Sequence, residues 1–286
     1  MPADVVFIVG PSRTASKYYR HLINQQVDWY CLHEIKFAFP FVRDLRGNSS
    51  RIRSSRSERR RTTMLSRLEK NPVFGELFRE FSGHPTRENL LQAIGDPTIS
   101  RCELLKRILS SAAAARSVSR IAAKNPVHPL FVPTARRCLP EVRFLFLLRA
   151  PEKIFVSELP KKSRPNPTSQ FPNVRLKSLL RFLILCHTSF EWGVAVLISR
   201  LFRGRRTICI SHESLVSDRH SQLRRLSAFL DVDMESMLYA DHPVIQSSYA
   251  SRVPSTFDTR LYAHERVWFR VMKWLLRYRG DVDSGR

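Results

Sequence analysis

An apolar run, Val5-Val6-Phe7-Ile8-Val9, stops at Gly10-Pro11-Ser12 and passes through Arg13-Thr14-Ala15-Ser16-Lys17 into Tyr18-Tyr19-Arg20-His21-Leu22-Ile23. This pattern predicts a buried strand, a tight turn and a helix over about Ser16 to Asn24. A helix N-terminus presents backbone N–H groups without intrahelical acceptors and a partial positive charge. Here Arg13 and Lys17 add cations, and Ser12, Thr14 and Ser16 add hydroxyls, which is the composition of an anion cradle. The expected ligand is a phosphate or sulfate ester. The nucleotide-kinase loop G-x-x-x-x-G-K-[ST] is not met, because Ala15 stands where its second Gly belongs and Ser16-Lys17 has the reverse order.

The rest of the chain alternates between strand and helix patterns. Trp29 to Leu32 reads as a second strand running into His33-Glu34-Ile35-Lys36. Ligands of open parallel sheets bind at carboxyl ends of strands, so His33, Glu34 and Lys36 are expected near the first loop's anion site. Arg120 to Ala123, ending in Lys124-Asn125-Pro126, reads as a third strand, followed by a helix from Pro129 to Leu139. Arg143 to Leu148 is the clearest buried strand, a near-continuous apolar run of the kind found in sheets covered on both faces. It stops at Arg149-Ala150-Pro151, and a helix over Glu152 to Leu159 carries Ser157. A Pro-rich loop from Pro160 to Pro172, a long helix from Val174 to Phe202 and a last strand from Thr207 to Ser211 follow. Ser217 to Leu230 and Arg260 to Tyr278 read as amphipathic helices. A basic loop at 46–62 and a helical insert at 63–117, capped within it at Thr98 or Ser100, interrupt the pattern. The expectation is one α/β domain over 1–286, three layers around a mostly parallel sheet.

A chain of 286 residues with 43% hydrophobic composition can bury a sizeable core. Its net charge of +23 attracts polyanions, nucleotides or anionic lipid and carries no information about fold. The five cysteines, Cys31, Cys102, Cys138, Cys186 and Cys209, are odd in number and scattered, with no C-x-x-C spacing. They indicate neither a disulfide framework nor a zinc site, and a reducing, cytoplasmic setting is expected. The apolar segment Leu179 to Phe202 is interrupted by Arg181, His187 and Glu191, which favours a buried helix over a membrane span.

Several of these stretches together resemble the sulfotransferases that use 3'-phosphoadenosine 5'-phosphosulfate, including bacterial and tyrosylprotein-type members. Phe7 to Tyr19 is similar to the family's strand, loop and helix for the 5'-phosphosulfate, with Arg13, Thr14, Ala15 and Ser16 in the order basic, hydroxyl, small, hydroxyl. Pro140 to Ser157 resembles the segment for the 3'-phosphate, whose strand-end Arg and later Ser fall on Arg149 and Ser157. Lys124-Asn125-Pro126 resembles a Lys-x-Pro whose lysine stabilises the transferring group, and Ile210 to Leu230 resembles the late strand, Glu-x-Leu and helix. Two departures stand out: Ala15 replaces a usual Gly, and Lys17 a usual hydroxyl. The late Arg-Lys-Gly of steroid- and phenol-sulfating members is absent, which leaves Ser248 and Arg252 as weak candidates for adenosine contacts.

The resemblance implies a P-loop-kinase-like fold and sulfuryl transfer, with adenosine 3',5'-bisphosphate as the spent donor. Such a reaction requires in-line placement, positive charge on the transferring group and a base for the acceptor hydroxyl. Arg13, Lys17 and Lys124 are the candidate cations, and no metal is required if they supply the charge. Thr14, Ala15 and Ser16 complete the loop. The base is Glu34 or His33, with Glu34 preferred, and a group in that role contributes about 10²–10⁴-fold to rate. The acceptor is a hydroxyl on a small molecule, saccharide or glycolipid, its pocket built by 37–117 and 160–200. Peripheral association with anionic surfaces is a further expectation, and no specific nucleic acid is expected. Two alternatives remain open at this point: a nucleotide-dependent kinase of similar fold, and a non-catalytic basic protein that binds nucleic acid or anionic membrane.

Overall fold

The computed structural model describes residues 2–32, 100–125, 129–162, 174–233 and 260–278. Five strands form one mostly parallel sheet: β1 (Asp4–Val9), β2 (Trp29–Leu32), β3 (Arg120–Asn125), β4 (Arg143–Leu148) and β5 (Thr207–Ser211), in the order β2-β3-β1-β4-β5. β2 and β3 run parallel, with Trp29 paired to Arg120 and Leu32 to Ala123. The helices are α1 (Ser16–Asn24), α2 (Arg101–Arg116), α3 (Val132–Cys138), α4 (Pro151–Lys162), α5 (Val174–Leu201), α6 (His212–Ser217), α7 (Arg219–Leu230) and α8 (Ala263–Leu275). The sheet's strands are apolar on both faces, as a sheet covered by helices requires; Val6, Phe7, Ile8, Phe144 to Leu148 and Ile210 are all buried. The basic loop at 46–62, residues 63–99 of the insert and most of the Pro-rich loop lie outside the described residues.

The chain divides into two compact units, Met1–Ile8 with Arg20–Phe144, and Val9–Tyr19 with Leu145–Arg286. In the first, Phe7 meets Phe131 edge-on at 5.3 Å and stacks on Phe144 at 6.2 Å. Of the two candidate caps for α2, Ser100 is the one used: its hydroxyl accepts from the Glu103 backbone N–H at 3.1 Å. Cys102 on α2 and Cys138 on α3 form a disulfide across 36 residues. This corrects the expectation from cysteine spacing. The two positions are brought together by tertiary packing of α2 on α3, which no local pattern reports, and one support for a reducing setting is thereby removed.

In the second unit, α5 packs on α4 and α8. Phe155, Leu159, Ile184, Leu185 and Phe269 form a buried cluster, and each such side chain contributes about 1.5–3 kcal/mol when removed from water. Arg181 of α5 is buried against Glu265 of α8, with Nε to Oε1 at 2.6 Å and Nη2 to Oε2 at 2.7 Å. The charge expected to interrupt a membrane span is thus neutralised inside the fold. By length and composition α5 passes as a span, with hydropathy 1.6, yet half of that window is buried within the protein.

Several boundaries differ from the sequence reading, three of them with a clear consequence for the helices. The helix expected over Ser217 to Leu230 is preceded by α6 and begins at Arg219, because the Asp218 carboxylate accepts from the Ser221 N–H and caps a new helix. α4 continues through Pro160 to Lys162. The last helix is shorter than expected, starting at Ala263, where Glu265 accepts from the Tyr262 N–H.

Candidate anion site

β1 ends in a turn that only glycine can enter. A Cβ on Gly10 would lie 2.2 Å from the Leu147 carbonyl oxygen, far inside van der Waals contact. Beyond it, Arg13 (φ 64°) and Ala15 (φ 62°) occupy the left-handed region, at a cost of about 1 kcal/mol or more each for residues with a Cβ. Left-handed residues alternating with others make backbone N–H groups converge into anion-binding concavities. The Thr14 hydroxyl donates to the Pro11 carbonyl at 2.9 Å, and the Tyr18 N–H donates to the Ala15 carbonyl at 2.9 Å to start α1.

Two side chains from the later half of the second unit, those of Glu158 and Arg149, hold this loop. The carboxylate of Glu158, on α4, accepts from the Ser12 hydroxyl and from Arg13 Nε, both at 3.0 Å and both on the same oxygen. The Glu158 side chain is 4% exposed and that of Arg13 39%, so a buried anion grips a surface cation. From the end of β4, Arg149 Nη1 donates to the Arg13 backbone carbonyl at 3.0 Å. The Arg149 carbonyl in turn accepts from the Trp192 indole N–H at 3.0 Å. Glu213, one residue past the N-terminus of α6, accepts from the Ala150 N–H at 3.1 Å and lies 3.5 Å from Lys153. It therefore joins the ends of β4 and β5.

Burial sets the electrostatics here first, and neighbouring charges second. Burial and the Arg149 guanidinium hold the His212 imidazole below its ordinary value of 6.5, partly opposed by Glu213. Burial, then the Glu213 carboxylate, pushes the Tyr278 phenol above the usual range.

Of the residues expected to bind an anion, the second unit brings together Arg13, Thr14, Ala15, Ser16, Lys17, Arg149 and Ser157. Thr14 and Ser16 are buried, Arg13 and Lys17 are exposed, and Ala15, Arg149 and Ser157 are partly exposed. Arg149 directly follows β4, and Ser157 stands two turns into α4. Lys124 belongs to the first unit, next to the last residue of β3 and 4% exposed. His33 and Glu34 lie outside the described residues. Sequence reasoning missed Glu158 and Trp192. A carboxylate in the otherwise apolar face Ile154, Phe155, Leu159 was the available signal, but a partner 145 residues away was not legible.

The chain thus combines a five-stranded α/β sheet with a loop carrying two left-handed residues and a strand-end arginine that bonds to it. The family model described as "Sulfotransferase family" matches residues 4–236, and the chain belongs to that family. Among solved structures, the sulfotransferase domain from the Synechococcus PCC 7002 olefin synthase is 14% identical with TM-score 0.59, covering 97% of this chain and 95% of its own. Sulfotransferase STF9 from Mycobacterium avium is 12% identical with TM-score 0.55, covering 100% of this chain and 79% of its own. Mouse sulfotransferase SULT7A1, solved with PAP, is 14% identical with TM-score 0.50, covering 96% and 85%. These likenesses establish the P-loop-kinase-like α/β fold. No curated protein matches in sequence.

Proposed function

We propose that this sulfotransferase moves a sulfuryl group from 3'-phosphoadenosine 5'-phosphosulfate to a hydroxyl acceptor by in-line displacement. The carrying observation is the loop from Gly10 to Lys17, in which Arg13 and Ala15 are left-handed immediately before α1. This donor set fits the anionic end of such a nucleotide: converging N–H groups, a helix N-terminus, two hydroxyls and two cations. The nucleotide supplies the sulfuryl group when bound and leaves as adenosine 3',5'-bisphosphate. PAP bound to the mouse relative accords with this choice.

Arg13, Thr14, Ala15, Ser16 and Lys17 hold the 5' anion. Arg149 and Ser157 take the 3'-phosphate, the guanidinium through its planar fork and the serine through its hydroxyl. Lys124 places charge on the transferring group; with Arg13 and Lys17 it fills the role that metal ions fill in phosphoryl transfer, so the reaction needs none. Glu34 accepts the acceptor's proton, or His33 if Glu34 does not. The acceptor is a hydroxyl of a small molecule, saccharide or glycolipid, and the +23 net charge suits peripheral association with an anionic surface carrying it.

The test is transfer of sulfur label from the donor to a panel of phenolic, saccharide and glycolipid hydroxyls. Wild type is expected to label at least one class, and Glu34→Ala to bind nucleotide yet label none. Retained labelling in Glu34→Ala moves the base to His33. Magnesium-dependent phosphorylation from ATP, with no sulfuryl transfer, would instead make the protein a kinase.

A further inference from the structure

We infer that Glu158 is a positioning residue for the anion loop, holding Arg13 and Ser12 in the arrangement that receives the 5' end of the nucleotide. The inference rests on the cofactor reading above and goes beyond it, because Glu158 belongs to none of the residues that reading assigns.

A carboxylate at 3% exposure must be paired to be tolerated. Glu158 lies on a helix whose neighbouring buried positions, Ile154, Phe155 and Leu159, are apolar, and the loop brings a guanidinium and a hydroxyl to its carboxylate. A single oxygen, Oε1, gathers two consecutive loop residues at 3.0 Å each. One of them, Arg13, has a backbone that an L-residue adopts only when its surroundings impose it. Ala15 repeats that strain two residues on, where glycine would carry none. The loop is thus held in a costly shape by contacts from outside it, and Glu158 supplies two of them. Because Nε–H is the group committed to Glu158, the Nη amines are the part of Arg13 left to meet an anion. Fixing the side chain before binding removes the ordering cost that an arginine on the surface otherwise pays when its ligand arrives.

The negative charge of Glu158 also opposes an anion in the loop, so positioning and repulsion act in opposite directions and experiment can separate them. Glu158→Gln keeps an acceptor oxygen of the same shape and removes the charge. Glu158→Leu keeps the volume and removes both. Calorimetry with adenosine 3',5'-bisphosphate and with adenosine 3'-monophosphate, which lacks the 5' anion, reads the outcome. Positioning predicts that Glu158→Leu weakens the bisphosphate about tenfold or more, while Glu158→Gln stays within about threefold of wild type. Neither variant should change the monophosphate, a selectivity that a general loss of structure would not produce. If Glu158→Leu does not fold, Ser12→Ala replaces it: one of the two donors to Oε1 is gone at a residue given no ligand contact, and the bisphosphate should weaken about threefold while the monophosphate does not. Unchanged bisphosphate affinity in the folded variant, tightening in both Glu158 variants, or equal loss for the two nucleotides overturns the inference. Failure of wild type to bind the bisphosphate overturns the cofactor reading itself.

Discussion

Arg149 donates from Nη1 to the backbone carbonyl of Arg13 at 3.0 Å, so the residue assigned to the 3'-phosphate also braces the loop assigned to the 5' anion. One end of the guanidinium is spent on the protein and the rest is oriented by it. Arg149→Lys should therefore be a poor replacement despite equal charge. Calorimetry with adenosine 3',5'-bisphosphate should show a loss of about tenfold, because an ammonium cannot serve carbonyl and phosphate in one plane.

Arg149 also sets the titration of its neighbour. His212 is held below 6.5 by burial first and by the Arg149 charge second. A histidine with a depressed folded pKa stabilises the protein above its unfolded pKa, and that contribution is lost as pH falls through the folded value. Proton NMR of the imidazole, assigned with His212→Gln, should show the His212 pKa rising in Arg149→Ala and rising when the bisphosphate occupies the site. An unmoved titration in both cases would separate His212 from the Arg149 guanidinium.

Ala15 offers a gain of stability. With φ at 62°, glycine at this position relieves the Cβ penalty, and Ala15→Gly should raise unfolding free energy by about 0.5–1 kcal/mol in urea denaturation. Gly10 is the opposite case. Gly10→Ala places a methyl 2.2 Å from the Leu147 oxygen, and the backbone shift should cost about 2 kcal/mol or more.

The Arg181–Glu265 pair is the principal buried charge contact between α5 and α8. Arg181→Met should cost about 3–5 kcal/mol by leaving Glu265 buried without its cation. Burial alone would raise the Glu265 pKa, but hydrogen bonds from Arg181 and the Tyr262 N–H, with the Arg181 charge, outweigh it and lower the value from 4.5. A carboxylate depressed in this way contributes stability above its unfolded pKa, lost as pH falls through the folded value. Wild type should accordingly lose stability in thermal melts below about pH 4.5, and Glu265→Gln should lose less over the same range.

The strands were the most legible part of the chain. Trp29–Leu32 and Thr207–Ser211 coincide with apolar runs bounded by polar residues, since a strand covered on both faces needs an uninterrupted run. Arg13, Thr14, Ala15 and Ser16 were legible as a loop because strand, glycine turn and helix onset follow one another locally. What escaped was long-range or conformational. Cys102 and Cys138 meet only after α2 packs on α3; Glu158 reaches Arg13 across 145 residues; Asp218 splits a continuous helical pattern by a capping bond. The alanine substitution at 15 was visible, but its left-handed backbone was not.

Calorimetric titration of adenosine 3',5'-bisphosphate into wild type and Arg149→Ala tests the central claim most directly. The account predicts micromolar binding to wild type, about −8 kcal/mol, weakened about tenfold or more by the substitution. Equal affinity in the two proteins would contradict the assignment of Arg149 to the 3'-phosphate, and no binding to either would contradict the nucleotide site as a whole.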